Sequence, residues 1–227
     1  QAGQFVSTGE NNTFLGSYAG VGITGTRLTG GSNTAVGFFA GATLQGAAAN
    51  NTLLGRSAGT AMTTGFNNVA VGYQALDELL TGSYNVAIGH QALNALDGAE
   101  AENIGIGYFA GGGVDNDSST DNVLIGSETG TGGGGAMTDC IAIGSHAMKT
   151  TGAQAQAGTI AIGSDALRVL TSGAGNVAVG YQAGLEIETG ARNTMLGYGA
   201  MRDSLASLAS DSNTFIGYTA GGGTWHT

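Results

Sequence analysis

The sequence predicts an all-β fold, a parallel β-solenoid built from a short repeat. A motif of Asn, three mostly apolar residues, Gly, two variable residues and Ala recurs twelve times, as in Asn68–Ala75. The three apolar positions are rich in Val and Ile, which favour strands. The copies begin 17–21 residues apart, and fixed periods of this order are typical of solenoids. We therefore expect one strand per repeat and stacking of successive repeats.

The copies are counted by their central glycine. Asn stands four residues before it in ten copies, and Cys140 and Thr159 replace it in the other two. Ala stands three residues after it in eleven copies, with Thr129 as the exception. We expect residues 1–227 to form a single repeat array and, since no capping segment is evident, to be an excerpt of a longer fibre protein. The central glycines are Gly16, Gly37, Gly55, Gly72, Gly89, Gly107, Gly126, Gly144, Gly163, Gly180, Gly197 and Gly217.

Each strand is apolar on both faces. Val69 and Val71 share one face of their strand, and Ala70 lies on the other. A strand that is apolar on both faces is buried on both faces. We predict that the valine face lines the coil and that the alanine face packs against other copies of the same chain. The predicted residues of this interface, which is a trimer interface if the resemblance described below holds, are Ala35, Ala70, Ala87, Ala142, Ala161 and Ala178.

The connectors are of two kinds. At the fourth residue after the central glycine, seven copies have Gly and five have Leu or Met. In the second kind, apolar residues recur at three- and four-residue spacing, which predicts short helical turns. These segments run from Gln74 to Leu80, Gln91 to Leu96, Asp165 to Leu170 and Ala200 to Leu208.

The repeated Asn is interpreted as structural. Stacked Asn side chains can hydrogen-bond along a solenoid as they do in cross-β ladders, or they can stabilise a turn. The alternative is a polar stripe that binds a ligand.

Composition narrows the function classes. The net charge is −10, which argues against binding to nucleic acid or to an anionic membrane surface. No apolar run is long enough to insert into a membrane. Cys140 is the only cysteine, so an intrachain disulfide is excluded. Gly is abundant but regularly spaced, and Pro is absent, unlike in collagen or a disordered tract.

Two short motifs resemble ligand sites only superficially. The run from Gly20 to Gly25 matches G-x-G-x-x-G, but it falls in a connector and no long helix follows it. The run from Asp115 to Asp121 has oxygen ligands at alternate positions, as calcium loops do. It lacks the sixth-position glycine and the closing glutamate, so a solvated turn is the default interpretation.

A column of ionisable residues follows from the register. Glu128, His146 and Asp165 are each the second residue after the glycine in three successive copies. In-register stacking places them about 4.8 Å apart. Such a column could bind a metal or perform acid–base chemistry, but the favoured interpretation is a surface charge ladder. No catalytic constellation is present, and we expect neither enzymatic activity nor a cofactor.

Aromatic residues follow the glycine directly in six copies. Tyr73 stands isolated in mid-chain, whereas Tyr181, Tyr198 and Tyr218 belong to consecutive copies. They form either a packed ladder or a stacking surface for sugars. These three tyrosines and Trp225 are the ligand-binding candidates. The other aromatic members are Phe38 and Tyr108.

The motif resembles a known repeat family. Asn-Val-Ala-Val-Gly-Tyr-Gln-Ala, at 68–75 and 176–183, resembles repeats of phage tail fibres and of tail-fibre-like bacterial adhesins. Asn-Val-Ala-Ile-Gly, at 85–89, is similar to the β-roll head repeat of trimeric autotransporter adhesins. The resemblance implies an extracellular homotrimer on a cell surface or virion. The repeats here are longer than in that head, so three side-by-side rolls and an interleaved β-prism both remain open.

The expected function is a structural and adhesive fibre segment. A rigid trimeric stalk or head would display or form a surface that recognises a cell-surface glycan or protein. Two alternatives are a tailspike-type glycan-degrading enzyme, which needs carboxylates facing a groove, and an ice-binding solenoid, which needs a flat threonine array.

Overall fold

The computed structural model describes residues 1–114, 118–152, 154–202 and 211–222. The chain divides into two compact units, Gln1–Gly112 and Gly113–Thr227. Each unit is a parallel β-solenoid of short strands and turns, which confirms the predicted fold class. The described residues contain no helix, and therefore none long and apolar enough to cross a membrane.

The first unit stacks one three-residue strand per repeat. Each strand pairs in parallel with the next along the chain, and equivalent residues of successive repeats face each other, as Val69 and Val86 do. The strand of each repeat ends directly before the central glycine, as predicted. The strands are β1 (Thr13–Leu15), β2 (Thr34–Val36), β3 (Thr52–Leu54), β4 (Val69–Val71), β5 (Val86–Ile88) and β6 (Ile104–Ile106).

The second unit repeats this arrangement and adds a small two-stranded sheet formed by β8 and β10, Met137–Thr138 and Gln156–Ala157. The remaining strands pair in parallel and in register, for example Ala161 with Ala178. These strands are β7 (Val123–Ile125), β9 (Ile141–Ile143), β11 (Ile160–Ile162), β12 (Val177–Val179), β13 (Thr194–Leu196) and β14 (Thr214–Ile216).

The two faces of the strands are opposite to those predicted. Ala70 is fully buried inside its own coil, whereas Val69 and Val71 are only half-buried on the outside. The reason is the asparagine. Asn68 is fully buried, and the residue two positions later must share its face because strand side chains alternate. A side chain enclosed by its own coil cannot contact another chain. The prediction of a trimer interface at Ala35, Ala70, Ala87, Ala142, Ala161 and Ala178 is therefore wrong, since all six are fully buried within the single chain.

Four of the six strand alanines belong to repeats whose corner residue, four after the central glycine, is a fully buried Leu or Met. In the repeat of Ala70, the buried Leu76 comes from the corner four residues after the central glycine. In the repeat of Gly55, the sizes are exchanged: Leu53 lies in the strand and Gly59 at the corner. A Cβ added to Gly59 would lie 2.9 Å from Leu53 Cδ2, which is too close. Of the strand and corner positions, one therefore carries a large side chain and the other a small residue in each of these two repeats.

The central glycine is required by backbone geometry. Gly72 has φ +136°, a conformation that side chains disfavour. A Cβ there would lie 2.3 Å from the carbonyl oxygen of Gly89 in the next repeat. Stacking at the strand spacing leaves no room for a methyl group at this corner.

The predicted helical turns are not formed. Gln74 and Leu76 have φ values of 54° and 51°, in the left-handed region, and the same alternation recurs at Gln91 and Leu93. Two left-handed residues separated by one residue turn the chain around the coil corner, which is incompatible with a right-handed helix. The three- and four-residue apolar spacing arises because Leu76 and Leu79 both point into the coil, where they are fully buried. The segment Gln91–Leu96 and the segment Asp165–Leu170 are also turns, and most of Ala200–Leu208 lies outside the described residues.

The asparagines form a buried amide ladder, which confirms their structural role. Asn68 Oδ1 accepts hydrogen bonds from the backbone N–H and the side-chain amide of Asn85, at 2.9 and 3.2 Å. The side-chain amide of Asn68 also donates to the carbonyl of Gly82, at 2.9 Å. Each asparagine in this arrangement therefore ties its repeat to the next through three hydrogen bonds.

The ladder is interrupted where Cys140 and Thr159 replace Asn. The backbone N–H of Cys140 still donates to Asn122 Oδ1, at 3.0 Å, but a thiol is a weak acceptor for the next repeat. Thr159 Oγ1 is buried without a hydrogen-bond partner, and so are both amide atoms of Gln156. Burial raises the pKa of the Cys140 thiol, so this cysteine is inert packing rather than a reactive group.

Candidate functional site

The sheet presents an apolar outer face, which we define as the residues three and one before each central glycine. The second of these positions is Leu, Val or Ile in every repeat, and the first is Thr, Val or Ile. Leu15, Leu54 and Ile216 are 66%, 47% and 65% exposed. Neither position carries a charge in any repeat. Each unit therefore exposes two columns of aliphatic and Thr side chains, and extended patches of this kind mark interaction surfaces.

A mixed column borders the outer face of the first unit, at the position directly after the central glycine. Tyr73 is not isolated: its ring centroid lies 5.0 Å from that of His90, and His90 lies 5.3 Å from Tyr108. On the other side, the Arg56 guanidinium lies 5.3 Å from the Tyr73 ring centroid and 6.0 Å from that of Phe38. These five side chains, Phe38, Arg56, Tyr73, His90 and Tyr108, form what we call the mixed column. Scanning the position for aromatic residues alone missed Arg56 and His90.

The equivalent position in the second unit carries the predicted tyrosines. Tyr181, Tyr198 and Tyr218 stack with ring centroids 5.1 and 5.4 Å apart and interplanar angles of 29° and 19°. Tyr181 and Tyr198 are 43% and 45% exposed, and Tyr218 at the end of the stack is 77% exposed. The structure brings these three candidates together, whereas the fourth, Trp225, lies outside the described residues.

The ionisable residues form the predicted column. His146 Nδ1 lies 3.4 Å from Asp165 Oδ1, and His146 Nε2 lies 3.9 Å from Glu128 Oε2. Each carboxylate also has a basic partner: Lys149 donates to Glu128, and Arg168 Nη1 lies 3.6 Å from Asp165 Oδ1. The hydrogen bond from Lys149 holds the pKa of the Glu128 carboxyl below its usual range. These contacts favour the charge-ladder interpretation.

A shallow cavity of about 210 Å³ opens beside this column, lined by His146, Lys149, Thr150, Arg168 and Val169. Its two cations are already paired with carboxylates, so it offers no uncompensated charge to a ligand. Within the described ranges, no group of three or more His, Cys, Asp or Glu side chains is arranged to hold a metal ion.

The glycine-rich run does not form the site that it resembles. Ile23 and Thr26, within and beside the glycine-rich run, form an antiparallel bridge around a tight turn, and no helix begins there. Residues 115–117 of the acidic run lie outside the described residues.

The class that the fold defines is a parallel β-solenoid with an exposed apolar sheet face. Comparisons of the chain with protein families, with characterised proteins and with solved structures found no match.

Proposed function

We propose that this protein is a structural and adhesive fibre segment, assembled as a parallel homotrimer through its outer face. The observation that carries the proposal is the uncovered apolar face of the sheet. Leu54 and Ile88, two repeats apart in the first unit, are 47% and 39% exposed, and the position directly before the glycine is aliphatic in every repeat. A monomer in water would leave this surface unburied at a cost of about 25 cal/mol per Å² of apolar area.

A second copy of the same chain suits this face better than an unrelated partner. Each column contains one residue per repeat, and successive residues are separated by the distance between neighbouring strands. A parallel copy of the chain therefore presents matching columns with the same spacing. Symmetric self-association also needs no charge complementarity, and the outer face carries no charged residue. Three copies around an axis would place all the aliphatic columns in a common interior. The resemblance of Asn-Val-Ala-Ile-Gly at 85–89 to trimeric adhesin repeats supports three rather than two.

The assembled segment would act as a rigid stalk or head outside the cell or on a virion. Its residues next to the central glycines, including the aromatic columns, would form the surface that recognises a cell-surface glycan or protein. Trimerisation would present each weak contact three times and raise the apparent affinity through avidity.

Light scattering tests the assembly. The chain mass is 22.3 kDa, and the proposal expects about three times that value in native buffer. Leu54→Lys, on the outer face, should shift the mass towards that of the monomer. Leu80→Lys is the matched control, because Leu80 is an exposed leucine on a connector away from this face. A monomer mass for the unaltered chain, or equal effects of the two variants, would contradict the proposal.

A further inference from the structure

The mixed column of the first unit alternates ring and polar group along the repeat axis. Phe38, Tyr73 and Tyr108 supply rings on alternate repeats, and Arg56 and His90 supply N–H groups on the repeats between them. Arg56 and His90 are exposed, and Tyr108 is 53% exposed. The column is thus an accessible strip with a period of two repeats.

This period has a chemical counterpart. Two repeats at the strand spacing advance about 9.6 Å. Flat, extended β-1,4-linked glycans have a two-fold screw, so every second sugar presents the same face, and their disaccharide repeat is close to this advance. A sugar packs its apolar C–H face on an aromatic ring, and its hydroxyls accept hydrogen bonds from N–H donors.

We infer that the mixed column binds a neutral, extended β-1,4-linked glycan lying along the repeat axis. Alternate sugars pack on Phe38, Tyr73 and Tyr108, and the hydroxyls of the sugars between them receive hydrogen bonds from Arg56 and His90. The chain charge of −10 opposes acidic glycans, which favours a neutral ligand.

The rings of the mixed column are inclined to one another. Tyr73 and His90 are inclined by 40°, and His90 and Tyr108 by 35°. These rings are therefore less nearly parallel than the tyrosines of the second unit, whose interplanar angles are 29° and 19°. The stacked tyrosines of the second unit lack both the inclination and the intervening donors, so the same argument does not extend to them.

The inference rests on the recognition part of the proposed function and gives it a ligand class. The binding strip lies beside the outer face rather than on it, so assembly and glycan binding can be measured separately on the same sample.

Calorimetric titration with cello- and chito-oligosaccharides of two to six sugars tests it. Five repeats accommodate five sugars, so affinity should rise up to the pentasaccharide and then level off. The steps from two to three and from four to five sugars should be the largest, because each adds a ring contact. The two series show whether the acetamido group is preferred.

Variants of exposed tyrosines supply the control. Tyr73→Ala should weaken binding about tenfold or more, the loss expected when a central aromatic anchor is truncated. Tyr73→Phe should retain affinity, because the ring remains. Tyr84→Ala is the matched control: Tyr84 is an exposed tyrosine of the same unit that packs on Phe66, away from the column.

No binding of either series, equal losses for Tyr73→Ala and Tyr84→Ala, or binding of acidic glycans alone would overturn the inference. A trimer that binds neither series would leave the proposed assembly intact and refute only the glycan assignment. A monomer that binds both series would refute the proposed assembly and leave the glycan assignment intact.

Discussion

The interior of the coil should accept a large side chain at position 70 only if the corner residue at position 76 becomes small. Leu76 is fully buried at the corner of the repeat that contains Ala70, whereas Leu53 is accommodated in its own repeat by Gly59. The exchange Ala70→Leu with Leu76→Gly would therefore reproduce an arrangement that the chain already uses elsewhere.

The magnitudes follow from the two single changes. Ala70→Leu adds three carbons to a filled interior and should cost about 1–3 kcal/mol of unfolding free energy. Leu76→Gly removes a fully buried leucine, which costs about 2–5 kcal/mol. Relief of the left-handed backbone at Leu76, where φ is 51°, offsets about 1 kcal/mol of that loss. In the double variant the new leucine fills the space vacated at the corner, so the coupling energy should be about 1–3 kcal/mol in favour of the pair.

Urea unfolding of the unaltered chain, both single variants and the double variant measures this coupling. All samples should have the same protein concentration, because any assembly contributes to apparent stability. Ala70→Leu combined with Leu93→Gly, at the corner of the next repeat, is the matched control and should be additive. Additivity of the Ala70→Leu and Leu76→Gly pair would refute the idea that strand and corner share one interior volume.

Two further changes probe the corner glycine and the amide ladder. Gly72→Ala should lower the unfolding free energy by more than about 3 kcal/mol, because the added methyl meets the Gly89 carbonyl and φ is +136°. Gly25→Ala, where φ is also positive but no atom lies within 4 Å, should cost clearly less, and equal losses in thermal unfolding would contradict the steric argument. Thr159→Asn should restore a ladder acceptor for the backbone N–H of Asn176 and raise the unfolding free energy by about 1 kcal/mol, as measured by urea unfolding. A destabilised variant would show that the interruption is accommodated in another way.

The fold class could be predicted because the twelve copies of the motif can be aligned with one another within the single chain. Strand-forming residues recur at the positions of Val69 and Val71, and a glycine recurs at the position of Gly72. This recurrence favours a strand that ends at the glycine in every repeat. The stacked register follows from the same repetition, which is why the sequence places Glu128 and His146 in one column, as the structure does.

The prediction assigned the wrong strand face to the interior of the coil. Apolar residues on both faces do not show which of the two faces is buried in the coil. The information was nevertheless present at Asn68: a residue that hydrogen-bonds inside the coil fixes the side of Ala70 by alternation. The backbone conformation at the coil corners could not be predicted from the local sequence. Gln74 and Leu76 adopt left-handed backbone that sequence patterns associate with Gly or Asn, and tertiary packing of Leu76 offsets that cost.

The site was partly predictable. The tyrosine ladder at Tyr181 and Tyr198 follows from identical residues in consecutive repeats. The mixed column does not, because a ladder of unlike residues is visible only once the register is accepted and every residue type at the position is considered. Arg56 and His90 become part of a surface only through their neighbours above and below.

Under the proposed function, assembly and recognition would use neighbouring positions along one strand. The residue directly before the central glycine is always Leu, Val or Ile, whereas the residue directly after it ranges over Ser, Phe, Arg, Tyr and His. Both face outwards, and neither is needed to fill the coil, which Asn68, Ala70 and Leu76 do from within. Under the proposed assembly, the uniform aliphatic position packs against a copy of the chain that carries the same repeat. The residue directly after the glycine can then vary and set the chemistry of the surface, one residue per repeat. The order in which these residues alternate along the repeats can match the spacing of chemical groups in a periodic ligand.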